Sequence, residues 1–83
     1  MYLAKVHVTL KPTVSDPQGQ TVLGGLKMLG FDSVQSVRMG KYLEMKLDTD
    51  SREAAQDQVS QMCSRLLANM VIEEYSFELE ETA

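Results

Sequence analysis

The first eleven residues carry an alternation that admits one local structure. Tyr2, Ala4, Val6, Val8 and Leu10 interleave with Leu3, Lys5, His7, Thr9 and Lys11. A period of two puts the two sets on opposite sides of an extended strand, with the even residues facing inward. Pro12 ends it, because proline has no amide to give to a ladder. A strand with one apolar face must be covered by a second layer, and the rest of the chain has to supply that layer.

The next signals are helical. Asp16 is placed to accept hydrogen bonds from free backbone amides, and Pro17 suits the first helical position. Val22, Leu23, Leu26 and Leu29 then form one apolar face, and Gly30 stops the helix in a left-handed conformation. Gly24 and Gly25 lie inside it and weaken it by roughly 0.5–1 kcal/mol each relative to alanine, so the helix either approaches another backbone closely there or is soft. Val34 to Met39 reads as a second strand, and Lys41 to Asp48 as a third with Leu43, Met45 and Leu47 on one face. Gly40 between them suggests a tight hairpin with Arg38 and Lys41 at its tip. Asp50 and Glu53 form a capping box for a second helix, whose stripe is Ala55, Val59, Met62 and Leu66, flanked by Cys63 and Leu67. Asn69 is placed to close it, and Tyr75, Phe77 and Leu79 alternate with polar residues in a final strand.

The expected order is β-α-β-β-α-β. Its simplest packing is α+β: a two-layer, ferredoxin-like domain with an antiparallel sheet and two helices on one face. The outer face would carry Lys5, His7, Thr9, Lys11, Glu44, Lys46, Ser76 and Glu78, a mix suited to cross-strand ion pairs or to a polar contact with another sheet. With 83 residues the chain makes a single domain, residues 1–83. A chain of that length buries only about 60–65% of its unfolded surface, so an oligomer is expected.

Function classes fall away in turn. The net charge of −4, with Lys and Arg scattered, argues against nucleic acid. The outer sheet face also lacks the aromatic platform of an RNA-recognition module, offering only Tyr42. No apolar run approaches the ~18 residues of a membrane span, and no basic-then-apolar leader precedes the first strand. The single cysteine, Cys63, cannot form an intrachain disulfide, and a cytoplasmic location is expected. A nucleophilic triad needs a nucleophile, a base and an orienting group. The one histidine, His7, lies on the outer face of the first strand, while Cys63 lies on the apolar stripe of the second helix. One histidine and one cysteine do not make a structural zinc site, and no phosphate-binding loop or dinucleotide fingerprint occurs. No catalytic, cofactor-binding or metal residues are expected on this chain.

Four segments carry a family resemblance: V-T-L-K-P at Val8 to Pro12, D-P-Q-G at Asp16 to Gly19, V-R-M-G-K-Y-L-E at Val37 to Glu44, and M-C-S-R-L-L-A-N-M-V-I-E-E-Y at Met62 to Tyr75. In this order and spacing the chain resembles the PurS subunits of phosphoribosylformylglycinamidine synthase, over nearly its whole length. The resemblance implies a noncatalytic small subunit of a purine-biosynthesis ligase, a glutamine amidotransferase complex that uses ATP to convert formylglycinamide ribonucleotide into formylglycinamidine ribonucleotide. It implies two partners: a PurQ-type glutaminase that releases ammonia, and a PurL-type synthetase that holds ATP and Mg²⁺ and adds the ammonia. It also implies a homodimer or dimer of dimers that bridges the two and assists ammonia transfer. Met70 stands where the family often has proline, and Gly24-Gly25 where it usually has better helix formers. Arg38, Lys41 and Tyr42 are the expected partner contacts, since cations on a turn can orient an acidic surface. The alternative is a small-molecule-sensing regulatory domain of the same outline.

Overall fold

A computed structural model describes residues 1–82. Strand β1 (Tyr2–Leu10) is followed by helix α1 (Pro17–Met28), strand β2 (Gly40–Leu47), helix α2 (Arg52–Met62) with a π-helical last turn over Cys63–Leu67, and strand β3 (Glu73–Glu81). The sheet has three strands in the order β2-β1-β3. Both pairings are antiparallel, and Val6 stands between Leu43 of β2 and Phe77 of β3. The alternation of β1 holds: Tyr2, Ala4, Val6 and Val8 are all buried. Leu43, Met45, Tyr75, Phe77 and Leu79 share the same inner face and pack around them. From α2, Ala55, Val59 and Cys63 complete the core.

The α+β class and the antiparallel sheet follow the sequence expectation, and four local features depart from it. Val34 to Met39 is not a strand of this sheet. The chain runs from Val34 into β2 without a turn or bend. Gly40 is the first residue of β2, and the only positive φ among the described residues is that of Gly30, at 95°. The expected hairpin is therefore absent, because a two-residue hairpin of the favoured kinds needs positive φ at its tip. Gly40 is instead required by a close approach: a Cβ there would lie 2.6 Å from the Val8 carbonyl oxygen. Second, α2 is capped by Ser51, whose Oγ accepts from the Ala54 amide at 3.2 Å, rather than by Asp50. Third, Asn69 does not close the helix in a left-handed conformation. Its Oδ1 accepts from the Val71 amide, and its carbonyl oxygen accepts from the Ile72 and Glu73 amides, building the turn into β3.

The fourth departure concerns the layers. Among the described residues α2 is the helix that packs closely on the sheet, chiefly on β1 and β3. Helix α1 leaves from the end of the sheet with Leu23 and Leu26 partly buried and Val22, Met28 and Leu29 exposed, the last two at 90% and 76%. A Cβ added at Gly24 or Gly25 would meet nothing within 4 Å, so no backbone approaches them within the chain. The molecule is 49 × 29 × 14 Å with a radius of gyration of 16.3 Å. A compact domain of this length would have a radius of gyration of about 12 Å.

Candidate functional site

The three expected contact residues lie where an arm, made of α1 and residues 29–39, meets the sheet, and each already has a partner within its own chain. Arg38 donates to the carbonyl oxygens of Lys11 and Val14 at 3.0 and 2.9 Å, and its Nε lies 4.0 Å from Asp16 Oδ2. It thus ties the start of the arm to the loop that leaves β1. Lys41 faces the inner side opposite Val8, donates to the Leu67 carbonyl oxygen at 3.1 Å, and sits 3.9 Å from Glu73 Oε2. Its ammonium covers the carbonyl end of α2, where positive charge is favoured. Tyr42 points the other way, onto the outer face. Its ring stands 4.8 Å from that of His7 and its hydroxyl donates to Glu44 Oε2 at 2.9 Å. That bond, which the phenolate could not make, raises the Tyr42 pKa above its ordinary value. The ring is half exposed, at 52%.

A fourth residue organises the other three. Asp16 is buried, accepts from the Gly19 amide at 2.9 Å as cap of α1, and accepts from the Met39 amide at 2.7 Å across 23 residues of sequence. Those two bonds, with the charge of Arg38, hold its carboxyl below the usual carboxylate range, against a smaller opposing effect of desolvation. Gly19 belongs to the same knot: a Cβ there would clash with the Val37 carbonyl oxygen. The sequence pointed to Asp16 as a cap, but nothing in it signals the long-range bond to Met39.

Beside this knot is an open cleft of about 330 Å³, whose charged lining is Asp16, Lys41 and Glu73. Asp16 is engaged by two amides, and Glu73 by Lys41 and by the Asn69 amide at 2.7 Å. A general acid or base needs a free proton site aimed at a substrate, and these carboxylates are committed to holding loops. Among the described residues no three of His, Cys, Asp and Glu converge on a point. Burial raises the Cys63 thiol, which disfavours the nucleophilic thiolate. On the outer face Lys5 and Glu80 pair at 2.7 Å, an exposed ion pair of small energetic weight. The arrangement is thus suited to presenting surfaces: a polar sheet face with an aromatic at its edge, and an arm held rigidly at its base.

Comparison with known proteins decides among the remaining readings. The PurS family model, described as phosphoribosylformylglycinamidine (FGAM) synthase, matches residues 3–81. The chain belongs to the PurS family. Its sequence is 47% identical over 78 residues to the phosphoribosylformylglycinamidine synthase subunit PurS of Synechocystis sp., covering 94% of this chain and 78% of that one. The structure of Bacillus subtilis PurS superposes with a TM-score of 0.87 at 46% identity, covering 98% of this chain and all of that one. A chain of the PurLQS structure from Thermotoga maritima superposes with a TM-score of 0.85 at 27% identity, over 96% of this chain and 99% of that one. Membership of this family favours an assembly subunit over a ligand-sensing domain. No helix among the described residues is long and apolar enough to cross a membrane.

Proposed function

We propose that this chain is the noncatalytic small subunit of a phosphoribosylformylglycinamidine synthase in purine biosynthesis. It works as a homodimer or dimer of dimers in the cytoplasm, and it bridges a PurQ-type glutaminase to a PurL-type synthetase. ATP and Mg²⁺ belong to the synthetase, and ammonia released by the glutaminase is the nitrogen source. The observation that carries the reading is the near full-length similarity to a chain of the PurLQS structure. The commitment of the cleft's carboxylates to loop structure is consistent with chemistry that resides in the partners. The test is assembly: the glutaminase and synthetase should co-elute in gel filtration only when this chain is added. Co-elution of the two partners alone would contradict the bridging role.

Arg38, Lys41 and Tyr42 are proposed to meet a partner with unequal weight. Arg38 and Lys41 serve their own fold first and offer only the exposed parts of their side chains. Tyr42 has an exposed ring and little internal duty, and a tyrosine at the centre of an interface often accounts for much of its affinity. Tyr42→Ser is expected to leave Tm unchanged within about 2 °C, since exposed substitutions cost little, and to weaken partner binding by about tenfold or more. Unaltered binding, measured by biolayer interferometry against each partner, would remove Tyr42 from the interface. Charge reversal at Arg38 is a poor test of partner contact, because a carboxylate there would repel Asp16 and loosen the arm.

A further inference from the structure

Strand β3 leaves one whole side of its backbone unused. In the order β2-β1-β3 it pairs with β1 alone among the described residues. The bonds at either end of that ladder fix which groups face which way. The Lys11 amide donates to the Ile72 carbonyl oxygen, and the Thr82 amide donates to that of Met1. These pairs are in register with Lys5 opposite Glu78 and His7 opposite Ser76. Hydrogen-bonded pairs alternate along an antiparallel ladder, so residues 74, 76, 78 and 80 turn their backbone groups toward β1. The amides of Tyr75, Phe77 and Leu79 therefore turn outward, and among the described residues nothing accepts from them. Of the outward carbonyls, that of Leu79 accepts from Arg52 at 3.3 Å.

A groove runs beside this edge. Tyr75, Phe77 and Leu79 point to the helix layer, yet all three are only half-buried, because α2 leaves them partly open. The rings of Tyr75 and Phe77 are stacked 6.3 Å apart and nearly parallel, at 7°, which makes a flat apolar floor. Arg52 and Gln56 of α2 wall a cleft of about 450 Å³ over Phe77 and Leu79. An open strand edge beside a helix-walled apolar groove is the geometry of strand addition, in which main-chain bonds give affinity and alternate side chains give selectivity. The charge on the outer face is one-sided. After Arg65 the sequence holds five glutamates and no Lys or Arg. Glu80 is paired with Lys5, while Glu74 and Glu78 are exposed and have no cation beside them among the described residues.

We propose that the open edge of β3 takes one extended, cation-bearing segment of a partner subunit as a fourth strand. Such docking rests on the bridging role above and specifies how one of the two partners is held. The incoming strand bonds to the outward amides of Tyr75, Phe77 and Leu79. Its apolar side chains, one residue in two, lie over the floor of the groove. The others emerge on the outer face, where Lys or Arg meets Glu74 and Glu78. A second copy of β3 does not fit this edge. Antiparallel pairing of E-E-Y-S-F-E-L-E-E with itself about Phe77 would set Glu73 against Glu81 and Glu74 against Glu80. Like charges directly opposite each other are destabilising, so the glutamates reject self-pairing and admit a basic strand.

The test adds a glutaminase and a synthetase separately to the full chain and reads amide hydrogen exchange residue by residue. One of the two partners should slow the Tyr75, Phe77 and Leu79 amides by about a hundredfold or more, while Ser76 and Glu78, already bonded to β1, change less. The double substitution Glu74→Lys with Glu78→Gln should weaken that partner by about fivefold or more and reduce the salt dependence of binding, with Tm unchanged within about 2 °C. A partner complex in which the three amides exchange as they do in the free chain would overturn strand docking and leave the bridging role standing. Unchanged affinity of the double variant would overturn the cation-bearing occupant. Slowing of the same amides in the chain alone, growing with its concentration, would assign the edge to a second copy and overturn the proposal. No complex with either partner at about 100 μM would overturn both the docking and the bridging role.

Discussion

Val6→Asp is expected to leave no folded protein at 25 °C. Val6 has no solvent exposure, lies on the central strand, and stands between Leu43 and Phe77 with α2 above it. The core it belongs to is small; the largest fully buried side chains are Val6, Val8, Val59 and Cys63. A domain of this size has only about 4–12 kcal/mol of stability to lose. An unpaired carboxylate in such a site costs several kcal/mol, and its protonated form still leaves hydrogen-bonding groups unmet. Val6→Ala is the control. It removes apolar volume without adding a polar group and should lower unfolding free energy by about 2 kcal/mol, leaving a folded chain. Urea unfolding followed by far-UV circular dichroism separates the two outcomes. A cooperative transition for Val6→Asp near that of the parent would show that this strand face is not the core.

Asp16→Ala should be the most damaging substitution outside the core, lowering Tm by about 10 °C. It removes the cap of α1 and strands the Met39 amide, which is half-sheltered at the arm base. Asp16→Asn should fall between, since its amide oxygen replaces one accepting oxygen while its NH₂ faces a donor. The pH dependence has a definite sign. The folded-state pKa of Asp16 lies below its unfolded value, through the bond from Gly19 first and that from Met39 second. The stabilisation by the carboxylate is therefore fully present above the unfolded pKa, about 3.9, and is lost as pH falls through the lower folded value. The Tm gap between the parent and Asp16→Asn should narrow as pH drops from 6 toward 2. A gap that is constant over this range would mean that the charge of Asp16 contributes nothing to the arm base.

The sequence made some of this visible and hid the rest for physical reasons. The inward face of β1 was legible because the strand alternates strictly: four of the five expected residues are buried, and Leu10, at the strand end, is only partly so. Gly30 was legible because a helix stop with positive φ has a residue signature. The absent strand at Val34 to Met39 was not, because its residues do suit a strand; what they lack is a neighbouring strand to pair with, and an alternation of residues does not say which segments will lie side by side. Gly40 misled for a related reason. A glycine before a lysine suggests a turn, yet here it makes room for the Val8 carbonyl oxygen. Arg38 and Lys41 looked like free cations because the carbonyl groups that bind them are 24 to 27 residues away. Of the three expected contact residues, Tyr42 alone has its ring on the outer sheet face.

The bridging role itself is tested most directly by comparing two nitrogen sources in one reconstituted synthase. With glutaminase, synthetase, ATP and Mg²⁺ present, formylglycinamidine ribonucleotide formation is measured with glutamine or with free ammonia, each with and without this chain. The predicted result is that glutamine-dependent formation needs this chain, while ammonia-dependent formation by the synthetase proceeds at a comparable rate without it. Equal glutamine-dependent rates in its presence and absence would contradict the account.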